Sequence, residues 1–381
     1  MGHGSLEQKN ALAKADLMAK LVGVDKWMFF ITLLLVVAGL VMVFSASAVV
    51  AQERFHSPYT FVGRQAMWAL LGVGAMLILM HVDYQHFKSP RFIYPMACLT
   101  TFLLVLVFFF HDSHNTHRWF RFGGLFTFQP SEIAKPVLIL FLAWFLHNRM
   151  DAIRDWKKTL LRAVIVPVLF IGLILKEPDL GTALVMFGVT AMMLVLAGME
   201  WKYLFFAGLA TLPVLAMELL MVGWRRKRML VFLNPDLDPQ GAGYHTNQSL
   251  IAVGTGGLTG RGYMEGVQKL FYLPEAHTDY IFANIAEELG FIGGFFIVLL
   301  FVVFGIRGLR AAFRCQEPFG RLAAFGITTG ILLQAFFNIS VVLSLVPTKG
   351  IALPLISSGG TSVFVTLASI GILLNITKKI E

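Results

Sequence analysis

Between Tyr272 and Gly290 the chain reads YLPEAHTDYIFANIAEELG, which places Glu275, His277 and Asp279 within five residues. A carboxylate or an imidazole in such a cluster can take a proton from a hydroxyl, and positioned proton transfer is worth roughly 10²–10⁴-fold in rate. His277 is a candidate base on its intrinsic pKa alone. Asp279 and Glu275 also carry the hard oxygens that a divalent cation such as Mg or Mn takes as ligands. No dedicated metal motif accompanies them, and the sequence leaves a metal open. Two more carboxylates, Glu287 and Glu288, follow in apolar sequence.

If 279–303 is one helix, each residue turns by about 100° and climbs about 1.5 Å. Ala283, Ala286, Gly290 and Gly293 then form a stripe beneath Asp279, read either as close helix packing or as a groove. Glu287 and Glu288 fall on different faces, so each needs its own partner. Three apart in QPSEIAKP, Glu132 and Lys135 share the first turn of a helix entered through Pro130. Glu132 suits the positive end of that helix. Lys349, in VPTKGIALP, is either a solvated turn lysine or a charge placed for an anion. Arg118, Arg121 and the basic run 225–228 are further groups able to hold an anion electrostatically.

The elements that must position these residues are membrane helices. Apolar residues make up 57% of the 381, charged residues 14%, and mean hydropathy is +0.73; a soluble domain sits near 45–50% and about 25%. Ten spans of the length that crosses a bilayer are expected, at about 27–47, 65–82, 92–110, 131–147, 160–175, 181–199, 203–222, 280–306, 322–346 and 360–377. The expected fold is therefore an all-α polytopic membrane domain over 27–377, with a large loop, 223–279, between spans 7 and 8. The leading segment, 1–26, is too charged for a signal peptide. It reads as an interfacial amphipathic helix or a disordered tail, and 1–8 as a non-native leader; 378–381 form the other terminus.

Ten spans put both termini on one side, and 18 of the 31 Lys and Arg lie there. Much of the remainder falls in the one long loop, where the positive-inside rule is weakest, so both termini are expected to be cytoplasmic. The formal charge of +9 thus records topology and gives no reason to invoke nucleic acid. Cys98 and Cys315 make neither a disulfide framework nor a metal site. The Gly- and Pro-rich segments 111–130, 176–181, 223–279 and 347–360 all fall on the outer side, which is where chemistry is expected. GTGG and GRG within them read as flexible turns, since they lack the strand-to-helix setting of a phosphate loop.

Five stretches in this order resemble the FtsW/RodA/SpoVE family: RWFRFGGLFTFQPSEIAK, KEPDLGTAL, FLNPDLDPQGAGYHTNQSLIAVGTGGLTGRG, LPEAHTDYIFANIAEELG and PTKGIALPLISSGGTS. The resemblance runs from about Trp27 onward, and PTKG with VQKLFYLPEAHTD is closer to the division branch than to the elongation branch. It implies a multi-pass protein of the bacterial cytoplasmic membrane, placed at the division septum. The implied activity is an inverting peptidoglycan glycosyltransferase that polymerises lipid II outside the membrane. The implied partners are lipid II, a class B penicillin-binding protein (an FtsI-like transpeptidase), other division proteins and membrane lipids. By the same resemblance Asp279 is the essential aspartate of the His277–Thr278–Asp279 motif, and Trp119, Glu132, Lys135, Glu275 and Lys349 are sensitive positions. Ser358 stands where members commonly carry tyrosine. A lipid II flippase, an elongation-type polymerase and a non-catalytic division scaffold are the alternative readings. A flippase would need comparable features at both faces, and a scaffold would not need Asp279.

Overall fold

The computed structural model describes residues 23–110, 118–122, 126–150, 160–203, 205–206, 208–209, 213, 217, 223–234, 237–238, 241 and 243–378. The expected helix in the leading segment and most of the expected span 203–222 lie outside the described residues. Among the described residues, seven helices are long and apolar enough to cross a membrane. They are α1 (Lys26–Phe55), α2 (Thr60–His81), α3 (Pro90–Leu106, continuing to Phe109), α4 (Pro130–His147), α9 (Ile281–Arg314), α10 (Pro318–Val342) and α11 (Gly360–Thr377). Two shorter apolar helices, α5 (Ile165–Lys176) and α6 (Leu180–Leu196), pack beside them. Between α6 and α9 the loop folds into α7 (Gly223–Leu233) and α8 (Tyr244–Gly256). A hairpin, β1 (Phe120–Phe122) paired antiparallel with β2 (Phe126–Phe128), precedes α4.

Local sequence starts and stops these helices where the site needs them. Pro130 opens α4, as proline does where the missing N–H has no helical partner. Asp179 caps α6, its carboxylate accepting from Thr182 N at 3.0 Å and Thr182 Oγ1 at 2.8 Å. At the opposite end of the bundle Asp25 caps α1 and takes a two-pronged contact from Arg307 of α9, with Nε at 2.7 Å and Nη2 at 2.6 Å. The core is aliphatic, and α11 packs along α2 more extensively than any other helix pair.

The stripe expected beneath Asp279 is not a continuous helix face. α9 begins at Ile281, after Asp279, and is broken at Gly290, whose φ of 68° and ψ of −166° no helix contains. Segment 257–262 inserts at the break. Arg261 N and Gly262 N donate to the freed carbonyls of Glu287 and Glu288, while Phe291 N and Ile292 N donate to Gly257 O and Leu258 O. Gly260, at φ +81°, and Gly290 bring two backbones so close that a Cβ on either would strike the other chain. The expected groove is therefore filled by the protein's own loop; Gly254 and Gly256 of GTGG lie inside α8 rather than in a turn, whereas Gly257 and the two glycines of GRG belong to the turn laid against α9.

Glu287 and Glu288 do find separate partners, from loop residues 264–269 and, for Glu288, also from Ser45 of α1. Glu287 accepts from Val267 N at 2.9 Å and from Gln268 N. Glu288 meets Lys269 Nζ at 2.6 Å, Ser45 Oγ at 2.6 Å and Met264 N at 3.0 Å. Lys269 and Glu288 are 3% and 0% exposed, a full ion pair taken out of solvent.

Candidate active site

Residues 275–280 form a turn opened by Glu275 in the left-handed region, at φ 55°. Four consecutive carbonyls of this turn are held by four different groups. Asn284 Nδ2 donates to Ala276 O at 2.8 Å, Ser358 N to His277 O at 2.9 Å, and Ser357 Oγ to Thr278 O at 2.6 Å. Asn338 Nδ2 donates to Asp279 O at 2.8 Å and also to Ile351 O at 2.6 Å. Fixing the main chain in this way fixes where the Asp279 carboxylate points, which is the preorganisation that chemistry requires. Gly350 completes the arrangement, since a Cβ there would lie 2.9 Å from Asp279 Oδ2.

Asp279 faces a cavity of about 340 Å³ that also receives Arg118, Trp119, Glu132, Lys135, Glu275 and Thr278. Seven of the nine residues singled out in the sequence thus line one space. Glu132 and Lys135 pair at 2.9 Å as their spacing predicts, and Lys135 also donates to Gln334 Oε1 at 2.6 Å. Arg118 reaches from the hairpin to the α5–α6 turn, donating to Glu177 O at 2.8 Å and to Pro178 O. Thr278 Oγ1 donates to Glu275 Oε2 at 2.9 Å.

The other two residues lie in neighbouring cavities. Lys349 lines a second space, of about 440 Å³, with Lys227, Arg228 and His245, and this space shares Glu275, Asp279 and Gly350 with the first. His277 faces a third, also about 440 Å³, where its ring lies 4.7 Å from Phe61. The alternative of His277 as base in place of Asp279 therefore meets a geometric obstacle: the two side chains open into different spaces.

Burial pushes the Asp279 carboxyl up to about 7, helped by the negative charges of Glu275 and Asp179 and opposed by Arg118 and Arg228. Such a group is half ionised near neutrality, as a general base should be. Burial lowers the His277 imidazole, so it stays neutral, and lowers the Lys349 ammonium to about 8. Glu177 is driven to about 9 by burial and by Asp179. Among the described residues no three His, Cys, Asp or Glu side chains stand close enough to hold a metal ion. Asp279 and Glu275 would need oxygens from a substrate to complete the shell of a hard cation.

Sequence reasoning missed Asp179, Gln129, Gln334 and Asn338. Gln129 Nε2 meets Asp179 Oδ2 at 3.3 Å and Ser131 Oγ at 2.8 Å. Gln334 Nε2 donates to Ala352 O at 2.9 Å. A signal for the last two was present: amides one turn apart on an otherwise apolar helix need partners inside the protein.

The model of the FtsW/RodA/SpoVE family, described as cell cycle protein, matches residues 25–381. The chain is 42% identical over 344 residues to the probable peptidoglycan glycosyltransferase FtsW of Geobacter metallireducens, covering 90% of this chain and 92% of that one. It is 40% identical over 354 residues to the stage V sporulation protein E of Bacillus subtilis, covering 93% and 97%. Among solved structures, a chain of a peptidoglycan synthase complex that coordinates polymerisation and crosslinking superposes with a TM-score of 0.76 at 27% identity, covering 93% and 98%. The rod shape determining protein RodA of Thermus thermophilus gives 0.68 at 25% identity, covering 94% and 98%.

Proposed function

Because the chain belongs to the FtsW/RodA/SpoVE family, we propose that it is a peptidoglycan glycosyltransferase of the division type, polymerising lipid II in the cavities around Asp279. The observation that carries this reading is the place of Asp279. It stands on the wall shared by a polar cavity and a basic one, with its carboxyl raised to about 7.

The reaction joins the 4-hydroxyl oxygen of an acceptor N-acetylglucosamine to C1 of a donor N-acetylmuramic acid. As that C–O bond forms, the bond from C1 to the pyrophosphate breaks, and its electron pair leaves on the lipid pyrophosphate. Asp279 takes the hydroxyl proton, and because a sugar hydroxyl is a very weak acid the transfer accompanies bond formation. An α-linked donor and a β-linked product require inversion by direct displacement.

Lys349, with Lys227 and Arg228, lines the cavity suited to the departing pyrophosphate. Lys349 has no carboxylate partner among the described residues, so its charge is available to an anion. Burial in a medium less polar than water strengthens that attraction. The pair Glu132–Lys135 and the guanidinium of Arg118 set the field in the polar cavity.

The site end of the bundle is assigned to the extracytoplasmic side from the Lys and Arg distribution, which puts both termini in the cytoplasm. A similar chain belongs to a complex that coordinates polymerisation and crosslinking, which supports a crosslinking partner here, assigned as a class B penicillin-binding protein. The test is polymerisation of fluorescent lipid II in detergent with that partner, comparing the wild type with Asp279→Ala after both are shown to fold and bind it. Polymer from the wild type and none from the variant is expected. Equal polymer from both refutes the role of Asp279, and translocation of lipid II without polymer refutes the reading as a whole.

A further inference from the structure

The third cavity, of about 440 Å³, has walls unlike those of the other two. Phe61, Arg64, Gln65 and Trp68 enter it from α2, Trp119 from the segment before the hairpin, and His277 from the catalytic turn. No carboxylate lines it among the described residues, and Arg64 is its one cation there. Thr278, Ser358 and Gly359 form a wall common to this cavity and the one that holds Asp279.

The cavity is built rather than incidental. Gln65 is buried and spends both ends of its amide on the loop opposite, Nε2 donating to Ser357 O at 3.0 Å and Oε1 accepting from Gly359 N at 3.1 Å. The Trp68 indole stands edge-on to Phe364, with centroids 6.1 Å apart, and lies against Gly360, where any Cβ would collide with it. His277, neutral at pH 7, is held against Phe61.

Fixed aromatic faces beside a few oriented polar groups are what a neutral sugar needs. Its C–H faces pack on flat rings while its hydroxyls require hydrogen-bond partners at set positions. A pyrophosphate, by contrast, belongs among the cations of the second cavity. On this contrast, and resting on the glycosyltransferase reading above, we propose that the third cavity is the acceptor subsite: it binds the N-acetylglucosamine–N-acetylmuramic acid disaccharide whose 4-hydroxyl attacks. The wall formed by Thr278, Ser358 and Gly359 is then the edge over which that hydroxyl meets Asp279. Ser358 faces both cavities, and its short side chain leaves the edge open.

The probe is the soluble disaccharide with its lactyl carboxyl amidated and without lipid or phosphate, observed by saturation-transfer NMR on the detergent-solubilised full chain. Saturation is expected with the wild type and with Lys349→Ala, and loss to background with Trp68→Leu. Trp68→Phe retains an aromatic face and should restore part of the signal. Should Trp68→Leu fail to give a wild-type melting transition, Arg64→Met tests the same cavity and should weaken the signal. The wild type should also transfer labelled lipid II onto the disaccharide, and Trp68→Leu should not.

No saturation with the wild type, or equal saturation with Trp68→Leu, overturns the proposal. Displacement of the signal by undecaprenyl phosphate also overturns it, since the cavity then belongs to the lipid. Saturation without transfer onto the disaccharide overturns the acceptor assignment. Lipid II polymerisation by the wild type with its class B partner, measured alongside, separates the two claims: polymer without saturation sinks the subsite alone, whereas no polymer sinks the enzymatic reading.

Discussion

Replacing Glu275 by glutamine should move the pH dependence of polymerisation without touching the base itself. The Asp279 carboxyl rises from 3.8 to about 7, with burial the largest cause and the Glu275 charge the next. That rise is roughly 3 units, or about 4 kcal/mol against the ionised form. Assigning about one unit to Glu275 is in keeping with the usual effect of a neighbouring charge. With Glu275 neutral, Arg118 and Arg228 are offset less, and the Asp279 carboxyl falls towards 6. A base works only when ionised, so activity is present above the pKa and lost as the pH drops through it. At pH 6 the wild type is then ionised to about a tenth and Glu275→Gln to about a half. Initial rates at subsaturating lipid II, taken from pH 5.5 to 9 and scaled to each enzyme's own plateau, report this free-enzyme pKa. The variant should hold about fivefold more of its plateau rate at pH 6. An acid limb that stays in place or moves upward would show that Glu275 does not set the charge state of the base. A wild-type limb near pH 4 would show that Asp279 is not perturbed at all.

Two further outcomes follow from buried charge elsewhere. Lys269→Met strands Glu288 beside Ser45, and the loss should be about 3–5 kcal/mol, read as a lowered melting temperature in detergent; adding Glu288→Gln should recover most of it. Glu177, raised from 4.5 to about 9, takes up a proton on folding at pH 7, at a cost of roughly 3 kcal/mol. Glu177→Gln avoids that uptake. Its thermal advantage should be present at pH 7, shrink as the pH falls, and vanish near 4.5; an advantage unchanged by pH would refute the assignment.

Much of this site was legible from local chemistry. The crowding of Glu275, His277 and Asp279 marked the turn, the three-residue spacing marked the Glu132–Lys135 pair, and the helical wheel showed that Glu287 and Glu288 needed separate partners. What stayed hidden depends on contacts between distant segments. Lys269 looks like an ordinary loop lysine until the loop folds back on α9. Asp179 looks like a helix cap until Gln129 and the hairpin approach it. The break at Gly290 is invisible on a wheel that assumes a helix, because a glycine does not state which side of φ it will occupy. The division of Asp279 and His277 between two cavities is likewise a property of the walls, which the motif does not contain.

The four bonds that splice segment 257–262 into the gap of α9 involve main-chain atoms alone. Main-chain atoms read register and are blind to side-chain identity. Leu258 and Thr259 can therefore be exchanged for many residues while the splice persists, but a single inserted or deleted residue would shift every donor past its acceptor. Variation along this loop is thus confined to spelling, with its length held constant. An engineered tag or linker belongs in some other loop, because one placed here would part the two halves of the helix that follows the turn holding Asp279.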